Sequence, residues 1–235
     1  MKVIFLLTFL IISLSGSSLT DQAIRYYSDG SLKNPTEVSL KTASYYRLFP
    51  QRKRQYGTDQ LVTLIEIVSK ELRAQFPEGE RLGVGDLSAK RGGKISRHNS
   101  HQNGLDVDLN YLKYNYEEQV AGSSDSFEES FIDGDQISSN FDLERNWALL
   151  NLLHEHGDIG RIFVDSVIKK ELCAQYRDKK NHKRVEILRR LRIWPHHDNH
   201  LHVRLKCPPL AKLCRPQQEP PSGDGCDNLK EDPIE

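Results

Sequence analysis

The sequence predicts an α+β fold in which a small antiparallel sheet is flanked by helices. Two stretches, LDVDLN at 105–110 and HLHVRLKC at 200–207, alternate between apolar and polar residues, as half-buried strands do. Two other stretches, beginning near 58 and 142, repeat apolar residues at helical spacing. We therefore expect a sheet that carries polar side chains on one face and packs helices against the other.

The two alternating stretches separate their residues between two faces. The apolar faces hold Leu105, Val107 and Leu109 in the first stretch, and Leu201, Val203 and Leu205 in the second. The polar faces hold Asp106, Asp108 and Asn110 in the first, and His200, His202 and Arg204 in the second. Successive side chains of a strand point to opposite sides, so the apolar faces should lie in the core.

Capping residues mark the predicted helices. Thr58 can cap the first, and Asp142 can cap a second that ends at Gly157. Residues 166–176 and 181–192 predict two more helices, of which the second is strongly basic.

The segments between the helices predict short strands and one long loop. RLGVGDLS at 81–88 and IGRIFVD at 159–165 are typical of short strands. Residues 113–141 are polar and have no periodicity, which predicts a long loop that is either functional or mobile.

Length and charge limit the classes of function. A chain of 235 residues suits one domain, and 37% hydrophobic content is enough for a sizeable core. The formal net charge is zero, whereas a nucleic-acid binder needs a basic excess to displace phosphate counterions. We therefore expect no nucleic-acid partner.

The first 18 residues have the layout of a secretory signal peptide. Lys2 precedes an apolar run at 3–12, and small residues follow it, so cleavage after Ser17 or Ser18 is expected. The apolar run is too short for a membrane span, although an uncleaved anchor is an alternative. After cleavage, residues 19–235 would form one domain without an integral membrane anchor.

The four cysteines all lie in the last third of the chain: Cys173, Cys207, Cys214 and Cys226. Export to an oxidising compartment favours two disulfides, for which three pairings are open. A cysteine zinc site is the rival interpretation, but it lacks the usual CxxC spacing.

The histidines predict a metal site. Six of nine fall in two short stretches: His98 and His101, then His196, His197, His200 and His202. If the two alternating strands are neighbours, His101, Asp108 and His202 can converge as the three protein ligands of a catalytic zinc ion. His200 would then be left beside the metal as a general base. The alternative is two solvated strand faces.

At this point the sequence resembles a known family. SRHNSHQNGLDVDLN at 96–110 and HHDNHLHVRLKCP at 196–208 look like the paired signatures of penicillin-insensitive murein endopeptidases. These enzymes belong to the LAS group of zinc peptidases, with the D-Ala-D-Ala peptidases and the hedgehog fold. The similarity covers nearly the whole mature chain, including GDLS at 85–88, RIFVD at 161–165 and PPSGDGC at 220–226.

The resemblance implies roles for particular residues. The zinc ligands would be His101, Asp108 and His202. The catalytic residues would be His200, as the base, and His197 and His98, which would lie near the metal. Asp106 would orient a ligand from behind, or it would be a solvated carboxylate. The implied disulfides are Cys207–Cys214 and Cys173–Cys226.

A second metal position of the family is doubtful here. It would draw on His98 and on Asp133, but Gln136 stands where the family has histidine, and glutamine is a poor zinc ligand.

The function implied by the resemblance is hydrolysis of peptidoglycan in the periplasm. A Zn²⁺-dependent endopeptidase would cut the D-alanyl–meso-diaminopimelyl cross-link, with peptidoglycan as its partner and a homodimer left open. The alternatives are a D-Ala-D-Ala-type carboxypeptidase of the same group, or a zinc-stabilised wall-binding module without turnover.

Two other motifs favour structural interpretations. SVIK at 166–169 matches the S-x-x-K of penicillin-binding serine enzymes but lacks its companion motifs, so Ser166 is expected to cap a helix. The basic run at 177–192 is expected to be a solvated helix, with contact to an anionic wall polymer or membrane surface as the alternative.

Overall fold

The computed structural model describes residues 22–120, 127 and 129–230. The predicted signal peptide at 1–18 lies outside the described residues and stays a prediction. Among the described helices, none combines the length and the apolar run that crossing a membrane requires.

Four helices and a set of short strands make up the described chain. The helices are α1 (Asp59–Gln75), α2 (Leu143–His156), α3 (Ser166–Tyr176) and α4 (His182–Arg190), and Pro50–Arg52 forms a 3-10 turn. The strands are β1 (Ala23–Tyr26), β2 (Asp29–Leu32), β3 (Thr36–Glu37), β4 (Tyr45–Arg47), β5 (Tyr56–Gly57), β6 (Leu82–Val84), β7 (Asp106–Asn110), β8 (Ile132–Asp133), β9 (Gln136–Ile137), β10 (Ile159–Val164), β11 (Leu191–Ile193) and β12 (His200–Leu205).

The main sheet has six strands in the order β11-β10-β12-β7-β6-β4 and, over the described residues, stays open. Its centre is antiparallel, as predicted, but both edge strands pair in parallel, β11 with β10 and β4 with β6. The prediction of a purely antiparallel sheet is therefore wrong at the edges. The reason lies in the connections: α1 joins β4 to β6, and α3 with α4 joins β10 to β11, and a helical crossover allows parallel pairing.

The two alternating stretches become neighbouring central strands. In the antiparallel pair, His202 lies opposite Asp108, and Arg204 lies opposite Asp106. Directly opposed residues share a face, so the two polar sets meet on one side of the sheet. The apolar residues of both strands enter one buried cluster with apolar side chains of α1 and α2, as predicted.

The helix starts follow the predicted capping chemistry in two cases out of three. Thr58 accepts a hydrogen bond from the Leu61 amide, and Asp142 accepts one from the Arg145 amide. Such a cap contributes about 1 kcal/mol. Helix α3 begins at Ser166, but Asp165 is its cap, so that prediction was wrong by one residue. The carboxylate accepts from the amide of the second helical residue and outcompetes the hydroxyl.

The fourth helix is shorter than predicted. It ends at Arg190, and the next three residues become β11. Leu191 is fully buried and pairs with Ile162 at the sheet edge, so tertiary burial ends the helix there.

The C-terminal segment is fastened to the domain at several points. The disulfides Cys173–Cys226 and Cys207–Cys214 are present, which confirms the implied pairing. The basic run also binds this segment, because several of its arginines form ion pairs with tail carboxylates. Two of these pairs are Arg177 with Asp224 at 2.7 Å and Arg190 with Glu219 at 2.7 Å. The run is thus partly structural rather than only solvated.

The described parts of the segment at 113–141 contain more regular structure than the sequence predicts. Strands β8 and β9 form a small hairpin within it. Phe131 and Phe141 are buried and pack edge-on against Tyr111. Its first residues are held by Lys113, whose amide donates to the buried Glu80 carboxylate at 2.7 Å.

Candidate metal centre

A cavity of about 430 Å³ lies over the polar face of β7 and β12. Its lining includes His98, Asp108, Phe127, His197, His200 and His202. The sheet therefore presents both halves of the predicted site to a single cleft.

Asp108 lines this cleft, and the buried ring of His101, which is not part of the lining, contacts Asp108. His101 is fully buried, and its Nδ1 contacts the Leu87 carbonyl oxygen at 2.8 Å. Its Nε2 lies 3.2 Å from Oδ1 of Asp108, without the alignment of a hydrogen bond. Both atoms are buried without a hydrogen-bond partner. A buried polar atom without a partner destabilises the fold. A bound cation would give both the imidazole nitrogen and the carboxylate oxygen a partner.

The backbone at His101 is itself unusual. Its φ of +63° lies in the left-handed region, which few residues other than glycine adopt. The amide of His101 donates to Oδ2 of Asp106 at 3.2 Å, which helps to hold this conformation.

The charges of this pair are strongly coupled. Burial by itself would lower the pKa of His101, but the adjacent Asp108 carboxylate outweighs it and raises the pKa to about 9. Burial would raise the pKa of Asp108, but His101 and His200 hold it well below its usual range. Without a metal, these shifts favour opposite charges on the two groups at neutral pH, and their contact is electrostatic rather than an aligned hydrogen bond.

His202 is oriented from behind by Asp106. Its Nε2 donates to Oδ1 of Asp106 at 2.8 Å, and the same oxygen accepts from Nε of Arg204 at 2.8 Å. Burial lowers the pKa of His202 to about 3, so the ring is neutral. Burial opposes ionisation of Asp106, but Arg204 and His202 keep its pKa low. A neutral ring protonated at Nε2 has its lone pair on Nδ1.

His200 lies at the cleft wall beneath an aromatic ring. Its Nδ1 contacts Oδ1 of Asn199 at 2.6 Å, and its Nε2 lies 3.6 Å from Oδ1 of Asp108. The Phe127 ring stacks on the imidazole at 4.6 Å between centroids, with 6° between planes. Burial lowers the pKa of His200 to about 3, which leaves a neutral ring with an acceptor nitrogen.

His98 contacts a second carboxylate, that of Asp86. Its Nε2 lies 3.0 Å from Oδ2 of Asp86 and 3.8 Å from Oδ2 of Asp108. Asp86 is buried and also receives Arg52 at 2.7 Å and Arg54 at 2.9 Å. Over the described ranges, the group whose donor atoms all lie within 4.8 Å of one another is His98, His101 and Asp108.

Comparison with known proteins shows the family of this chain. The family model of penicillin-insensitive murein endopeptidases matches residues 23–232. The chain belongs to that family. A penicillin-insensitive murein endopeptidase of Pectobacterium atrosepticum is 33% identical over 88% of this chain and 72% of its own length. Proteins of the same name from Yersinia pestis and Escherichia coli are each 30% identical over 87% of this chain and 73% of theirs.

The murein endopeptidase fold of this chain gathers most of the predicted residues but not all. His197 also lines the cleft, with its ring 4.9 Å from that of His200 and its Nδ1 2.8 Å from the Pro195 carbonyl oxygen. Asp133 lies exposed in the β8–β9 hairpin, where it pairs with Gln136, and it is absent from the cavity lining. The geometry therefore does not bring Asp133 to His98.

Three residues of this murein endopeptidase site were missed at the sequence level. Asp86 lies in the GDLS string, where its burial had no visible signal. Arg204 is the third polar position of its strand, and its contact with Asp106 follows only from the pairing register of β7 and β12. Phe127 comes from the long loop, where no sequence pattern indicates a role for it. Its ring lies against Gly85, and a Cβ added at Gly85 would lie 2.8 Å from that ring.

Proposed function

We propose that this chain is a zinc-dependent murein endopeptidase that hydrolyses the D-alanyl–meso-diaminopimelyl cross-link of peptidoglycan. One observation carries the proposal: in a member of this family, a buried imidazole nitrogen of His101 faces a carboxylate oxygen of Asp108, neither has a hydrogen-bond partner, and Asp108 lines the cleft. The proposal includes a LAS-type fold and one peptidase domain at 19–235. Two disulfides support export to the oxidising periplasm after signal cleavage.

The zinc ligands in this proposal are His101 through Nε2, Asp108 through Oδ1 and His202 through Nδ1. Two imidazole nitrogens and one carboxylate oxygen are a donor set that zinc takes, and three protein ligands leave a position for water. Because Asp106 occupies Nε2 of His202, only Nδ1 remains for a metal. His98 is the competing third ligand, but the nitrogen that faces Asp108 is also engaged by Asp86.

A zinc ion held by these three residues would supply Lewis acidity, which lowers the pKa of a water molecule and polarises a carbonyl oxygen. His200 accepts the proton of the attacking water at Nε2, because its Nδ1–H is directed to Asn199. The same nitrogen then donates that proton to the leaving amine. His197 or His98, which also line the cleft, would stabilise the developing oxyanion; each would need a second ring proton to donate, because Nδ1 of His197 and Nε2 of His98 already face acceptor oxygens. No serine nucleophile takes part, so a β-lactam has no group to acylate.

Two alternatives share the same site. A D-Ala-D-Ala-type carboxypeptidase would use the same histidines on a free chain end. A wall-binding module would keep the metal without turnover, and the retention of His200 in the cleft argues against that.

One digestion experiment separates these functions. Cross-linked muropeptide dimers are incubated with the mature protein, with and without a chelator, and the products are weighed by mass spectrometry. We expect dimers to become monomers, and zinc but not magnesium to restore activity after chelation. Loss of only a terminal D-alanine would indicate the carboxypeptidase, and binding without products would indicate the module.

The ligand assignment is tested with His202→Ala and a matched control. His182→Ala replaces an exposed histidine at the start of α4. We expect His202→Ala to lose both bound zinc and cleavage, whereas His182→Ala keeps both. Full zinc content in His202→Ala would refute the assignment.

A further inference from the structure

Asp106 contacts both histidines that the proposed function assigns to the metal. Its Oδ1 accepts from the His202 ring, and its Oδ2 accepts from the His101 amide. The side chain is fully buried. One carboxylate therefore sets the ring orientation of His202 and the backbone of His101 together.

Arg204 holds that carboxylate in place. Its Nε donates to Oδ1 of Asp106 at 2.8 Å, and its guanidinium lies over Tyr27 at 4.4 Å and over Phe163 at 5.0 Å. Two aromatic faces restrict a planar guanidinium to one plane, so the direction of its N–H groups is determined. Phe163 also packs against the His202 ring, with 5.0 Å between ring centroids.

The far end of Arg204 is bound to the C-terminal segment. Its Nη1 donates to Oε1 of Gln217 at 3.0 Å. Gln217 lies three residues after Cys214, which closes the Cys207–Cys214 loop. The carbonyl oxygen of the next residue, Gln218, accepts a hydrogen bond from Nη1 of Arg161 at 2.9 Å. The backbone beside Gln217 is thus fastened to the domain on both sides.

We propose that Gln217 and Arg204 are positioning residues that orient the metal-binding histidines through Asp106. The disulfide-tied C-terminal segment thereby contributes to the geometry of a centre built on β7 and β12. The inference rests on the proposed function for the identity of the metal. The contacts among Gln217, Arg204 and Asp106 do not depend on that function. Partners behind metal-binding histidines determine the tautomer and ring angle, and losing them weakens metal binding.

The test compares four variants with the wild-type protein. Arg204→Lys keeps the charge but loses the planar fork, and Gln217→Ala removes the acceptor. Gln217→Glu restores an acceptor for Arg204. Gln218→Ala is the matched control, because this exposed neighbour contributes its backbone rather than its side chain.

The first measurement is zinc affinity without substrate, by chelator competition. We expect Arg204→Lys to bind zinc roughly tenfold more weakly, and Gln217→Ala roughly threefold more weakly. Gln217→Glu and Gln218→Ala should match the wild type. Because Gln217 also lines the cleft, a role in substrate contact alone would raise KM and leave zinc affinity unchanged, and that result would overturn the proposal.

The second measurement needs no metal. In zinc-free protein with ¹⁵N-labelled histidine, NMR reads which ring nitrogen of His202 carries the proton. We expect the Nε2–H form in the wild type and in Gln218→Ala, and a mixture of forms in Gln217→Ala. An unchanged His202 signal in Gln217→Ala overturns the relay. If the wild type binds no zinc, the proposed function fails, while this measurement still decides the relay.

Discussion

Zinc binding to this protein should release a proton from His101. In the metal-free protein, Asp108 holds the pKa of His101 at about 9, so at pH 7 the ring is almost fully protonated. A ring nitrogen must lose its proton before it can bind a metal. The cost at pH 7 corresponds to two pKa units, about 2.7 kcal/mol. Zinc affinity should therefore rise roughly tenfold from pH 7 to 8, roughly fivefold from pH 8 to 9, and level off above.

Two measurements check this linkage. Isothermal titration in buffers of different ionisation enthalpy should give a release near one proton per zinc at pH 7. Chelator competition should give a gain in affinity of roughly 50-fold from pH 7 to 9, because half of the His101 rings are still protonated at pH 9. His182→Ala, at the exposed start of α4, is the control and should change neither value. Affinity that is flat across this range would refute the reasoning, because His101 would then be neutral before the metal arrives.

Three further predictions concern the frame of the site. Replacing Cys173 and Cys226 by serine opens a loop of 53 residues and should lower the free energy of unfolding by about 4 kcal/mol in urea titrations; a loss below about 1 kcal/mol would show that the ion pairs suffice. Arg145→Met leaves the Glu80 carboxylate buried without its partner and should cost about 3–5 kcal/mol in the same titration, and a neutral result would contradict the buried pair. Phe127→Ala removes the ring stacked on His200, the proposed base, and should lower kcat by up to roughly 100-fold with zinc affinity unchanged; weaker zinc binding instead would contradict this role.

Much of the frame was readable from local patterns. The helix starting after Thr58 and the helix starting after Asp142 were predictable, because a capping side chain acts within three residues of its own position. The alternation in the two central strands was equally local, and it predicted which of their residues enter the core. The parallel edge strands were not predictable in this way, because Leu191 becomes a strand residue only through burial against Ile162.

The sequence by itself determined the mixed class of helices and strands, the two residue clusters of the proposed metal centre and the family. Each follows from residue types at short spacing, such as the seven positions from His101 to Asp108. Only the tertiary structure decided which polar side chains contact one another in the cleft. Asp106 and His202 are 96 positions apart, and their hydrogen bond exists only once the register of two strands is set. Burial then makes each such contact consequential, because a polar group removed from water depends on the partner that folding supplies.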